Sequence, residues 1–435
     1  MAVPRNYSSH LTFAATAATS ARLRTRISLL CDTDEDIEVS RPRQQTVTTR
    51  AGGTGGDCCI DRRSHASHAG CTLRADGPCF YTIACAAPAT FRPALDCSAV
   101  DPYITLHIKQ SAGHNITANH FTSEFDSFVR ILSAIGNDWH YLQNNAFSNF
   151  KNVLYMDLSE NHIVSLGAAF RGLEQMDSLN LSRNHIETIK PGVLQFSENN
   201  SRLYMLDLSY NQLTHLSEDS FVNVNNLRSL YLQGNKLNTL GDHFFAKFKH
   251  LNYLNLCCSN MGSLRMTFKY LPSLKELNLS YNNLKKVDIS KVKSLETIDL
   301  SHNDFEEIYF ENFKGLPIVK VDLSFNKLKK LYVEDSAMAS NASRPLVKLY
   351  LNNNNISYVD ETFFNVFSYI AILNLSYNNI FEFKADTFRY VNVLKILIVS
   401  NNPKLRLADD ISKELAQTFI IGKFPPSQIR KRMFT

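Results

Sequence analysis

Residues 203–213 read LYMLDLSYNQL, and the same frame returns as LYMDLSENHI at 154–163, LKELNLSYNNL at 274–284, VKVDLSFNKL at 319–328 and AILNLSYNNI at 371–380. Aligned on the asparagine, these share the pattern L-x-x-L-x-L-x-x-N-x-L, which recurs about every 24 residues. The x-L-x-L alternation is the period of a strand, so the leucines turn inward and the residues between them outward. A unit this short cannot bury its apolar side alone. Successive units must therefore stack and share one core.

Counted from the first apolar position, repeats start at Val153, Met176, Leu203, Leu227, Leu251, Leu274, Leu295, Ile318, Leu346, Ile370 and Leu394, with a degenerate copy ahead of them at Val129. The array spans 129–405. Asparagine holds the ninth position except at Ser259, and a short amide there can satisfy turn backbone groups of the next repeat. The second half of most repeats carries a phenylalanine (Phe147, Phe170, Phe196, Phe221, Phe245, Phe268, Phe313, Phe364, Phe388), which predicts an internal aromatic stack. The repeat from Leu274 to Leu295 is 21 residues long and lacks this ring, so a thinner outer arc and a local change of curvature are expected there.

Period and frame are the leucine-rich-repeat signature. With the outer phenylalanine, the chain resembles the extracellular, typical 24-residue subclass, as in Toll-type receptor ectodomains and insect secreted immune proteins. YITLHIKQSAGHNITANHF at 103–121, followed by WHYLQNNAFSNFKNVLYMDLSENHIVSL, most resembles the mosquito leucine-rich immune proteins of complement-like defence. The resemblance implies an α/β solenoid, a horseshoe with a parallel β-sheet on the concave face and loops with short 3-10 or helical turns on the convex face. Members of that subfamily carry a cysteine-rich region and a coiled coil after the repeats, and the sequence to Thr435 contains neither. Dimerisation stays open.

The flanks read differently. The first 100 residues hold 11 arginines, no lysine and one asparagine, Asn6. Residues 1–75 form a low-complexity, disordered segment or are not native coding sequence. Residues 76–128 read as an N-terminal cap, since the first repeat of a solenoid has an open core end to cover. Extracellular relatives use a disulfide-pinned hairpin at this place, which marks Cys79, Cys85 and Cys97 as candidates with no pairing assigned. Residues 406–435 are a C-terminal cap or a truncated tail.

At 44% hydrophobic and 20% charged, with a diffuse formal charge of +5, the composition names no nucleic-acid partner. No run of 18 apolar residues exists, so no membrane-spanning helix is expected. No P-loop, H-E-x-x-H or G-x-S-x-G motif is present, which argues against an enzyme and leaves no catalytic, cofactor or metal residue to name. Cys58, Cys59, His65, His68 and Cys71 suit zinc by type but follow no known spacing, and read as coincidence. Of the sequons outside the repeat frame, which include Asn6, those at Asn115, Asn199, Asn341 and Asn355 are the candidate glycosylation sites and favour an extracellular protein.

Binding residues are sought on the concave face. Its outward columns carry Tyr155, Asp157, Asp207, Tyr210, Tyr231, Tyr253, Tyr281, Asp299, Asp322, Lys348, Tyr350 and Tyr377. Aromatic rings on a rigid exposed sheet make binding anchors, while the polar residues also follow the repeat consensus. Cys257 and Cys258 interrupt the same columns, either as inert thiols or as partners in an intermolecular disulfide. Lys285–Lys286, Glu306–Glu307 and Lys329–Lys330 fall on equal positions of successive repeats and predict a charge ladder that supports register. The expected function is non-enzymatic recognition of a protein ligand, such as another repeat protein or an immune effector, by a secreted protein of innate immunity. The alternatives are a cell-surface adhesion protein or receptor ectodomain, and an intracellular scaffold or enzyme regulator.

Overall fold

The computed structural model describes residues 103–109, 115–117, 121, 128–196, 202–221, 224–238, 240–241, 243–264, 267–334, 347–384, 386–407, 415 and 417–422, with the backbone of four short strands before residue 103. The solenoid lies within the unit Gly56–Thr435. Apart from the backbone of Cys59–Ile60 and Cys71–Gly77, residues 1–75 fall outside the described residues, as do Asn199, Asn341, Cys79 and Cys97 and the side chains of Cys85 and of the Cys58–Cys71 cluster. Among the described residues no helix is long and apolar enough to cross a membrane.

The repeats build one 16-stranded sheet. From Tyr155–Asp157 to Lys320–Asp322 every strand is three residues long and pairs in parallel with its equivalent one repeat away, so that Leu179 stands between Met156 and Leu206. Strands Val347–Tyr350, Tyr369–Asn374 and Val393–Ile398 continue the ladder, and Phe419–Ile421 adds to its end. Upstream, Val129–Ser133, Tyr103–Ile108 and Phe80–Cys85 join in parallel, and Cys71–Gly77 closes on Phe80–Cys85 as an antiparallel hairpin. On the far side of the core, short 3-10 turns such as Phe244–Lys247, Phe310–Phe313 and Glu361–Asn365 return the chain.

The inward leucines are buried throughout. Each contributes about 1.5–3 kcal/mol by leaving water, and each is shared with the neighbouring repeat. The asparagine column is a hydrogen-bond ladder. Asn184 Nδ2 donates to Leu158 O of the preceding repeat at 3.0 Å and to Leu181 O of its own at 3.0 Å, while its Oδ1 accepts from Ile163 N–H at 3.0 Å. Ser259 is too short to do this; its hydroxyl donates to Cys257 O. Of the carbonyls an amide at this position would serve, Leu256 O still accepts from Asn282 Nδ2–H at 2.9 Å and Leu232 O from Asn235 Nδ2–H at 2.8 Å, and Asn282 Oδ1 accepts from Ser259 N–H as well as from Met261 N–H.

The aromatic column runs in three segments. Phe121, Phe147, Phe170 and Phe196 follow one another at centroid distances of 5.7, 5.9 and 5.8 Å. Phe221, Phe244, Phe245 and Phe268 form a second group, and Phe310, Phe313, Phe363, Phe364, Phe367 and Phe388 a third. The gap between the second and third falls at the 21-residue repeat, whose buried Ile289 and Val292 take the place of a ring. Of the charge ladder, Lys329 Nζ meets Glu306 Oε2 at 2.6 Å.

Candidate protein-interaction face

The open face of the sheet is made of three columns, the third, fifth and eighth positions of each repeat. At the fifth position the carboxylate or amide first serves its own turn. Asp157 Oδ1 accepts from Ser159 N–H and Oγ–H at 2.9 and 2.6 Å, and its Oδ2 from Tyr155 Oη–H and Asn180 Nδ2–H at 2.9 and 3.1 Å. Asp299, Asp322, Asn278 and Asn374 each accept from the serine two residues on. Asp157 and Asp207 are each only 7% exposed, so these two act as struts of the face. Tyr155 is held un-ionised, first by burial and then by the Asp157 carboxylate.

Asp207 shows the cost of that role. Burial pushes its carboxyl above the usual range, against the lowering effect of the Ser209 hydrogen bonds. A carboxyl raised in the fold stabilises the folded state when protonated, and that contribution is lost as pH rises through the folded value. Asp207→Asn keeps the acceptor for Ser209 N–H and removes the buried charge. It is expected to raise the thermal midpoint at pH 7, with variant and parent converging as pH falls below about 4; thermal melts across that range check it.

The eighth position follows a different rule. Glu160, Arg183, Tyr210, Cys258, Tyr281, His302, Phe325, Asn353, Tyr377 and Asn401 all have φ between 53° and 59°, with Gly136 and Gly234 in the same region at 68° and 72°. A left-handed residue with a Cβ costs about 1–2 kcal/mol, least for asparagine. Yet the column presents large rings, with Tyr210 39%, Tyr281 55%, Phe325 45% and Tyr377 57% exposed. Tyr210 lies across Gly234, where a Cβ would come within 2.5 Å of its ring. Arg183 sits on the same ring, its Cζ 4.9 Å from the centroid, with Glu160 Oε1 3.9 Å from its Nε. Tyr281, His302 and Phe325 stack almost parallel, at 4.0 and 4.2 Å and at 10° and 9°.

The other expected residues are dispersed along the face. Tyr231 and Tyr253 meet at 4.9 Å, and Lys320 Nζ lies 5.8 Å from the Tyr350 centroid, beside the exposed Lys348. Cys257 is half-buried and Cys258 exposed, both as free thiols. A hydrogen bond between them pushes the Cys257 thiol up and draws Cys258 down. Sequence reasoning missed His302 and Gly234, whose signal was their place in the eighth column. It also missed Ile372, Ile396, Ile398, Phe419 and Ile421, which with Asn374 fill the outward positions of the last three strands.

The family profile described as Leucine rich repeat matches residues 136–186, 187–237, 226–284, 249–305 and 344–403. Lumican of Rattus norvegicus is 30% identical over 223 residues, covering 49% of this chain and 62% of lumican. Toll-like receptor 3 of Boselaphus tragocamelus is 28% identical over 272 residues, covering 58% of this chain and 30% of the receptor. The chain thus spans less than two thirds of either relative. Among solved structures, a chain of the Drosophila Toll–Spatzle complex gives a TM-score of 0.60 at 14% identity, covering 83% of this chain and 55% of that one, which is a likeness of fold. Because the matched spans take in more than half of the sequence and coincide with the parallel ladder, the chain belongs to the leucine-rich-repeat family.

Proposed function

We propose that this is a secreted, non-enzymatic recognition protein of innate immunity that binds a protein ligand through the open, concave face of its sheet. The carrying observation is the eighth column, where large rings stand exposed on a backbone that favours glycine or asparagine. Binding anchors are of this kind: rigid, aromatic and fixed before the partner arrives. The setting draws support from the similarity to Toll-like receptor 3 and from the fold shared with the Toll–Spatzle complex, a hub of Drosophila development and innate immunity. Secretion draws support from the exposed sequon residues Asn115 and Asn355.

Two measurements test this reading. Expressed through a secretory route, the chain should carry glycans at Asn115 and Asn355, read as mass loss on enzymatic deglycosylation; absence of both would remove the extracellular assignment. In affinity capture from its native extracellular fluid, the full chain should retain a protein that the folded Tyr281→Ala, Tyr377→Ala double variant does not. Equal capture by both would remove the concave-face assignment.

A further inference from the structure

We propose that the Tyr281–His302–Phe325 stack, with the carboxylates beside it, seats an extended lysine- and arginine-bearing segment of the protein partner. This rests on the protein-binding reading above and adds the chemistry of the partner.

The stack is built in advance. Three rings from three successive repeats lie within 10° of parallel at 4.0 and 4.2 Å, so little side-chain freedom remains to be lost on contact. Folding alone does not call for rings here, since Gly234, Asn353 and Asn401 meet the same left-handed backbone with less strain. Strained positions that carry exposed side chains are candidates for contact.

The sign of the partner follows from what surrounds the stack. Glu276, Asp299 and Asp322 stand on the strands behind these rings, against one cation, Lys320, whose ammonium lies over Tyr350. From Tyr155–Asp157 through Thr297–Asp299 the third and fifth positions hold four acids, Asp157, Asp207, Glu276 and Asp299, and no lysine or arginine. The face is locally negative on a chain of formal charge +5, so the patch is not a reflection of overall composition. Burial also raises the Asp299 carboxyl, a penalty that an arriving cation would offset.

The same column already contains the contact in miniature. Arg183 places its guanidinium on the Tyr210 ring with Glu160 at its edge, so a cation held between ring and carboxylate is compatible with this backbone. From Tyr210 to Phe325 the column advances five repeats, about 24 Å at the spacing of neighbouring strands, the length of roughly seven extended residues.

The experiment uses the full chain and two labelled peptides of equal length, one repeating Arg-Gly-Ser and one repeating Glu-Gly-Ser, followed by fluorescence anisotropy at low and at physiological salt. The arginine peptide is expected to bind about tenfold tighter than the glutamate peptide and to weaken with salt. Tyr281→Ala with Phe325→Ala, and separately Asp299→Asn with Asp322→Asn, should each lower its affinity about tenfold. Asn283→Ala and Lys293→Ala, exposed residues outside the three columns of the face, should not, and circular dichroism with unfolding midpoints confirms that every variant folds. The proposal is overturned if neither peptide binds, if the glutamate peptide binds as well, or if the arginine peptide ignores both double variants. Glutamate-peptide binding that depends on Lys320 and Lys348 would leave the protein-binding face standing and remove only the partner chemistry. Loss of ligand capture by no open-face variant would instead remove the underlying function.

Discussion

Asn282→Ala is expected to destabilise the fold by roughly 3–5 kcal/mol, more than alanine at any other position of its column. Asn282 is 6% exposed, and its Nδ2 donates to Leu256 O, Leu279 O and Ser280 O at 2.9, 3.0 and 3.2 Å. Its Oδ1 serves Met261 N–H at 2.9 Å and Ser259 N–H at 3.2 Å. Leu279 O keeps Asn303 Nδ2–H and Ser280 O keeps Cys258 N–H, but alanine would take from Leu256 O, Met261 N–H and Ser259 N–H their bonds to this side chain, each at about 1–3 kcal/mol before relaxation. The repeat before it has serine where its own asparagine would stand, so nothing nearby makes up the loss. Denaturant unfolding of Asn282→Ala beside Asn283→Ala, an exposed neighbour expected within about 0.5 kcal/mol of the parent, decides the matter. Equal midpoints for the two would show that the ladder is dispensable.

Phe170→Ala should cost about 3–5 kcal/mol. Its ring is fully buried and stacked on both sides, 5.9 Å from Phe147 and 5.8 Å from Phe196. The cavity would remove dispersion contacts in three repeats at once, and the rigid strands limit how far they can collapse. Phe268→Ala is the comparison, because its ring has a stacked partner at Phe245 and faces the ring-free short repeat on the other side. It should cost less by about 1 kcal/mol, the size of one aromatic contact. Since a solenoid is coupled only through nearest neighbours, hydrogen exchange should rise around residues 147–196 first, and unfolding should depart from a single transition. Uniform acceleration over the whole array would contradict that coupling.

Residues whose role is set within one repeat are legible in the sequence. The inward leucines follow from the strand period, the amide of Asn184 from the need for a short group that serves two turns, and the outward place of Tyr281 or Phe325 from the eighth place of the repeat frame, beyond the strand, where the backbone turns left-handed. The aromatic column is legible as a column but not in its breaks. Those depend on how far the Leu274–Leu295 repeat and the lengthened repeat beginning at Met176 displace one ring from the next. By pattern Asp157 and Tyr155 look like free binding groups, whereas in the fold they are tied to Ser159, Asn180 and each other.

The sequence by itself determined a parallel stack of leucine-rich repeats, its register and its outward columns, because the code for these is local and repeated about every 24 residues. Only the tertiary structure decided that Tyr103–Ile108 and Phe419–Ile421 join the sheet without the full frame. It also decided that Asn282 covers for Ser259, and that Tyr281, His302 and Phe325 close into one stack while Tyr210 turns onto Gly234. These outcomes depend on the backbone angle at the eighth position and on what the adjacent repeat offers, and a pattern read within one repeat contains neither.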